Sequence, residues 1–152
     1  MADMAPVHLW LVQVLSAELV ARGAAFFDGR VLDGDTVPMI PGPAQQVRPH
    51  AVLWLGDNSK HPYGQGICGS RDALGLLPFA VLCVANDAYG CTQVRDIVTR
   101  VLVGATPPDS GEINDSGSYA DQPVPSLLKP ARFMRTLGFY VSVGASGASG
   151  GI

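Results

Sequence analysis

Apolar positions fall at helical spacing in two stretches of this chain and at strand spacing in several others. Near the start, Val7, Leu9, Trp10, Leu11, Val12, Val14, Leu15, Leu19 and Val20 predict a helix over residues 4–22. These residues surround most of the helical wheel, and His8, Gln13, Ser16 and Glu18 do not collect on one face. A helix apolar nearly all round has to be covered nearly all round. One side can pack on a sheet, and the other is expected to meet a neighbouring chain. Asp3 is the expected N-cap, with Pro6 in the first turn, where a missing N–H costs little.

The second helical stretch follows a buried strand. Phe79-Ala80-Val81-Leu82-Cys83-Val84-Ala85 is apolar on both alternating faces, which predicts a strand over 76–85 covered on both sides, with Pro78 at its start. Asn86-Asp87 reads as a turn and helix N-cap. Val94, Ile97, Val98, Val101 and Leu102 then recur at helical spacing over 88–103, opposite Gln93, Arg95, Asp96, Thr99 and Arg100. Gly104 closes the helix, where a left-handed residue is needed.

The other elements are strands and loops. Residues 24–32 predict a strand interrupted at Asp28-Gly29, and Asp33-Gly34-Asp35 a hairpin turn into a short strand over 36–40. Pro38, Pro41 and Pro43 break regular structure. Residues 50–55 form a second clear strand, and residues 133–143 a last one, with Leu137, Phe139, Val141 and Val143 alternating with Gly138, Tyr140 and Ser142. Residues 56–70 are a polar, glycine-rich loop. Residues 105–130 have no period and are expected to be one long loop. The tail, 144–152, is flexible by its Gly, Ser and Ala content. The pattern predicts one α+β domain over 1–143, a mixed, mainly antiparallel sheet flanked by two main helices with long loops.

Composition changes this picture in one respect. Of 152 residues, 47% are hydrophobic but only 15% are charged, against about 25% in a typical soluble domain. So few charges cannot solvate a whole surface, which again points to coverage by other subunits. The formal net charge of −3 implies no nucleic-acid-binding face. Cys68, Cys83 and Cys91, an odd number at spacings unlike metal ligands, read as reduced thiols. The first residues carry no basic segment ahead of an apolar run, so neither a signal peptide nor a membrane span is expected.

Candidate chemistry is weak throughout. Gly64-Gln65-Gly66-Ile67-Cys68-Gly69 matches the dinucleotide-binding glycine pattern, with Asp87 beyond it. That fingerprint belongs at a strand end, and here the first glycine comes nine residues after Leu55. The segment after it, 70–77, is too short and broken for a crossover helix. His61 shares its loop with Asp57, Tyr63 and Cys68, but no third group orients a nucleophile pair. Asp33 and Asp35 read as a turn rather than a cation site. No nucleophile elbow or phosphate loop is present. No catalytic residue, cofactor or metal is therefore expected, and the chain reads as a non-enzyme.

The order of elements resembles the tail terminator, or tail completion, proteins of long-tailed bacteriophages and related minor tail and head–tail joining proteins. Three segments carry the likeness: the opening helix with Leu11, Val14, Leu15 and Leu19 followed by Val31-Leu32-Asp33-Gly34-Asp35; His50-Ala51-Val52-Leu53-Trp54-Leu55 before a variable loop; and the strand from Phe79 through Asp87 with its helix ending Val101-Leu102-Val103-Gly104. They span residues 4–143. Family members often have a short loop after the second helix, where this chain has a long one.

The resemblance implies a homo-oligomeric ring, a hexamer, at the head-proximal end of the virion tail, assembled in the host cytoplasm. Such a ring caps the tail tube, ends its polymerisation and offers a docking surface to head-completion or connector proteins, with DNA only passing through the lumen. Expected subunit contacts are Trp10, Val14 and Trp54; expected partner contacts are His61, Tyr63, Ile113 and Tyr119 in loops. The alternatives are a head–tail connector or adaptor, a minor tail protein and, more remotely, a small-molecule-binding domain using the Gly64-Gly69 loop.

Overall fold

The computed structural model describes residues 4–29, 38–42, 46–56, 59–60, 75–116 and 132–143. Two helices and six strands follow in the order α1 (Ala5–Ala21), β1 (Ala25–Asp28), β2 (His50–Leu55), β3 (Ser59–Lys60), β4 (Gly75–Ala85), α2 (Ala88–Leu102), β5 (Ser110–Asp115) and β6 (Phe133–Val143). The strands make one sheet ordered β1-β2-β4-β6-β5, with β3 beside the start of β4. Only β1 and β2 run parallel; every other pair is antiparallel. The chain is an α+β fold with a mixed, mostly antiparallel sheet.

The core lies between the sheet and both helices. Val7, Leu11, Leu15 and Leu19 form a buried stripe along α1, at the spacing that aligns side chains on one helical face. They join Val94, Val98 and Leu102 of α2 and the alternate residues Leu77, Phe79, Val81, Cys83 and Ala85 of β4 in one cluster. Phe79 stacks on Phe139 across the β4–β6 ladder, with ring centroids 5.4 Å apart. Burying each large side chain contributes roughly 1.5–3 kcal/mol.

The helix ends explain the chain's turns. At α1 the Ala24 N–H donates to the Leu19 carbonyl and the Gly23 N–H to the Val20 carbonyl, with Gly23 at φ +82°. This is the Schellman arrangement, and Leu19 and Ala24 are buried together, the apolar contact that often accompanies it. The N-cap position of α1 is Met4, with no side-chain cap, which corrects the expected Asp3. Pro6 does lie in the first turn. At α2 the Asp87 carboxylate caps the helix, and Gly104 takes φ +83° just past its end.

Three sequence readings change. Residues 105–130 are not one irregular loop: β5 occupies part of them and pairs with β6. Its residues, Ser-Gly-Glu-Ile-Asn-Asp, have little intrinsic strand preference, so β6 imposes the conformation. Pro78 is not at the start of β4 but inside it. It is tolerated because the paired part of β2 ends at Leu55, opposite Phe79, and the Pro78 carbonyl accepts from the Gly56 N–H at 2.9 Å. Within the expected strand over 36–40, the described part makes a single bridge, Met39 to Val47. The Asp33-Gly34-Asp35 turn lies outside the described residues.

Candidate functional site

Because both helices cover one face of the sheet, the alternate side chains of the strands point to the other. There Trp54, Leu76, Pro78, Ala80, Thr136, Gly138 and Tyr140 line a shallow, mainly apolar basin of about 660 Å³. The register places Trp54 beside Ala80, Ala80 beside Gly138 and Pro78 beside Tyr140. Gly138 and Ala80 form the floor, since they have little or no side chain. Trp54 stands at the rim and is 49% exposed. The basin is tightly built at one end: a Cβ on Gly56 would come within 2.7 Å of the Pro78 carbonyl oxygen.

A second apolar surface is the outer side of α1. Leu9 and Val20 are 59% and 60% exposed, on the side away from the buried stripe. Trp10 and Val14 flank that stripe and pack partly against the core. Trp10 and Val14, expected at a subunit contact, are half-buried, whereas Leu9 and Val20, not named from the sequence, are the large apolar residues that α1 exposes. On a helical wheel these two fall opposite Leu11 and Leu15, the residues that the structure buries.

A cleft of about 470 Å³ separates the end of α1 from α2, lined by Arg22, Pro49, Tyr89, Gln93, Ile97 and Arg100 among others. Tyr89 is 72% exposed. Arg48 joins this side through its Nε–H, which donates to the Gly23 carbonyl at 3.3 Å.

Other candidates have structural roles. His50 is the buried polar residue of the described core, 2% exposed. Its Nδ1 lies 2.8 Å from the Arg48 carbonyl oxygen, and its ring meets Phe27 edge-on at 5.7 Å. Burial holds its pKa below the ordinary value; the Arg48 carbonyl opposes this, and nearby Arg132 adds to it. The neutral ring donates one hydrogen bond and fills space. His8 on α1 pairs with the Asp28 carboxylate on β1 at 2.8 Å, tying helix to strand. Cys91 donates its thiol to the Cys83 carbonyl at 3.3 Å, and both sulfurs are buried and free.

Ile113 corrects an expectation. It lies in β5 and is buried under the helices at 1% exposure, so it is core rather than a loop anchor. His61, Tyr63 and Tyr119, and the glycine run from Gly64 to Gly69, lie outside the described residues. Among the described residues no three potential ligands gather to hold a metal, and no helix is long and apolar enough to cross a membrane.

No protein-family model and no curated protein sequence matches the chain. Among solved structures, a chain in the virion of a native gene transfer agent particle is similar in fold. The TM-score is 0.56 at 18% sequence identity, over 95% of this chain and 96% of that one.

Proposed function

We propose that this chain is a structural virion protein of a phage-like particle: a tail terminator whose copies close into a ring, a hexamer, on the end of the tail tube. The observation that carries the reading is the end-to-end likeness to a chain of a gene transfer agent virion, which leaves almost no part of either chain outside the shared fold. The element order of tail terminators, read from sequence, supports the same assignment.

The work of such a subunit is burial, not chemistry. One set of surfaces meets neighbouring copies, and the two rims of the ring meet different partners, the tube protein below and a head-completion or connector protein above. The half-exposed Trp54 basin and the Leu9–Val20 side of α1 are apolar surfaces of the kind that partners cover. Trp10 and Val14, half-buried beside that side of α1, are the further residues expected at the contact between copies. A net charge of −3 suits a ring through which DNA slides, because it supplies no excess of cations to hold phosphates.

The test is to add the purified protein to polymerising tail tubes and image the product. A terminator stops growth and sits as a ring at one tube end. Tubes that grow on unchanged, with the protein bound instead to a head-side portal, would assign it to the connector class. A melting-temperature shift on adding a nucleotide would instead support the binding-domain alternative.

A further inference from the structure

The charges of this subunit are distributed unequally between the two sides of the sheet. From residue 101 to residue 116, the described stretch that contains β5, the chain has the acids Asp109, Glu112 and Asp115 and no Lys or Arg. Asp109 and Glu112 are exposed at β5, one outer strand of the sheet. At the other side, next to β1, Arg22 and Arg100 line the cleft between the helices, with Arg48 alongside. Two acids share that region, and each is matched by an arginine, Glu18 by Arg22 at 3.6 Å and Asp96 by Arg95 at 3.0 Å, which leaves Arg48 and Arg100 as the excess positive charge. Arg100 makes no ion pair among the described residues.

We propose that the acidic rim of β5 in one copy docks against the Arg22–Arg100 cleft of the next copy, resting on the ring reading above. Two features favour this over other contacts between copies. The outer backbone of β5 is already occupied at Ile113, whose N–H donates to the Ala105 carbonyl and whose carbonyl accepts from the Gly104 N–H. Strand addition at that point is blocked, so β5 meets a neighbour through side chains. A two-fold contact of β5 against β5 would set acid on acid and is repelled. A head-to-tail contact sets acid on base, and head-to-tail contacts are the kind that close into rings.

The experiment measures assembly mass against protein concentration by light scattering, at low and high salt, for four proteins: wild type, Glu112→Lys, Arg100→Glu and the double variant. Both positions are exposed, and circular dichroism checks that each variant is folded. Each single reversal is expected to weaken assembly by on the order of tenfold, and the double variant to recover most of the loss. Salt is expected to weaken wild-type assembly. A wild-type ring indifferent to both single reversals, or a double variant no better than the singles, overturns this contact and leaves the ring. A wild type that stays monomeric at every concentration and on tail tubes alike overturns the ring and the contact together.

Discussion

The Asp87 carboxylate accepts a hydrogen bond from the Gly90 backbone N–H at 2.6 Å, and this bond sets where β4 stops and α2 starts. Residue 90 has little room for more than glycine: a Cβ there would lie 3.0 Å from both the Ala85 Cβ and the Asp87 Oδ1. The strand end, the cap and the first helical turn are therefore one packed unit. Replacing Asp87 with Ala is expected to cost about 1 kcal/mol, lowering Tm by about 2–4 °C, while Asp87→Asn retains most of the cap. Thermal unfolding followed by circular dichroism checks this, and equal losses for Ala and Asn would show that the cap bond is not the cause.

The same corner shows why some of the fold is legible in sequence and some is not. β4, α2 and β6 carry their own signals: an apolar run, an Asp at the N-cap, helical spacing, strict alternation. Each is a local consequence of burial, so each can be read locally. β5 has no such signal, because one residue of it, Ile113, faces the core and its conformation comes from β6. The parallel partnership of β1 with β2 is likewise a tertiary choice, which no local pattern in either strand announces. The surfaces follow the same division. Trp54, expected at a subunit contact, is half-exposed in the fold, while α1 is apolar all round, so its outward residues, Leu9 and Val20, emerge only once the sheet shows which side is covered.

Cys83 and Cys91 are expected to be inert in the folded protein. Burial, then the neighbouring Cys91 sulfur, raises the Cys83 thiol far above its ordinary range, against a smaller opposite pull from Arg135 and Arg95. Cys91 is raised by burial, with Arg135 opposing. The thiolate is the reactive form, so little of it exists at neutral pH. In a Cys68→Ser background, labelling by a thiol reagent should be no faster than unfolding, and full labelling in denaturant should recover two thiols. Rapid labelling in native buffer would mean that β4 and α2 separate readily.

His50 makes stability depend on pH. Its folded pKa is lowered from the ordinary 6.5, mainly by burial, so the unfolded chain binds the proton more tightly. Stability is then complete above about pH 6.5 and declines as pH falls from there towards the folded pKa. Glutamine at position 50 can keep a donor for the Arg48 carbonyl and cannot titrate. Plotted against pH, the urea midpoint of His50→Gln should be flatter than that of the wild type below pH 6.5. Parallel curves would remove His50 as the source of the acid sensitivity.

The two sides of α1 should respond oppositely to substitution. Leu15 is fully buried among the core residues, and Leu15→Ala is expected to cost about 2–5 kcal/mol by leaving a cavity. Leu9 points to solvent, so Leu9→Ser should change stability by no more than about 0.5 kcal/mol. Trp54→Ala, on the far face of the sheet, should also spare the fold, since about half of the side chain is already exposed. If these faces are covered by other copies or by the tube, Leu9→Ser and Trp54→Ala will fold normally yet lose ring mass or tube capping. Urea unfolding and light scattering on the same samples separate the two effects. A loss of stability at Leu9 comparable with that at Leu15 would mean that the chain covers this face itself. Unchanged stability together with unchanged assembly would remove that face from the contact.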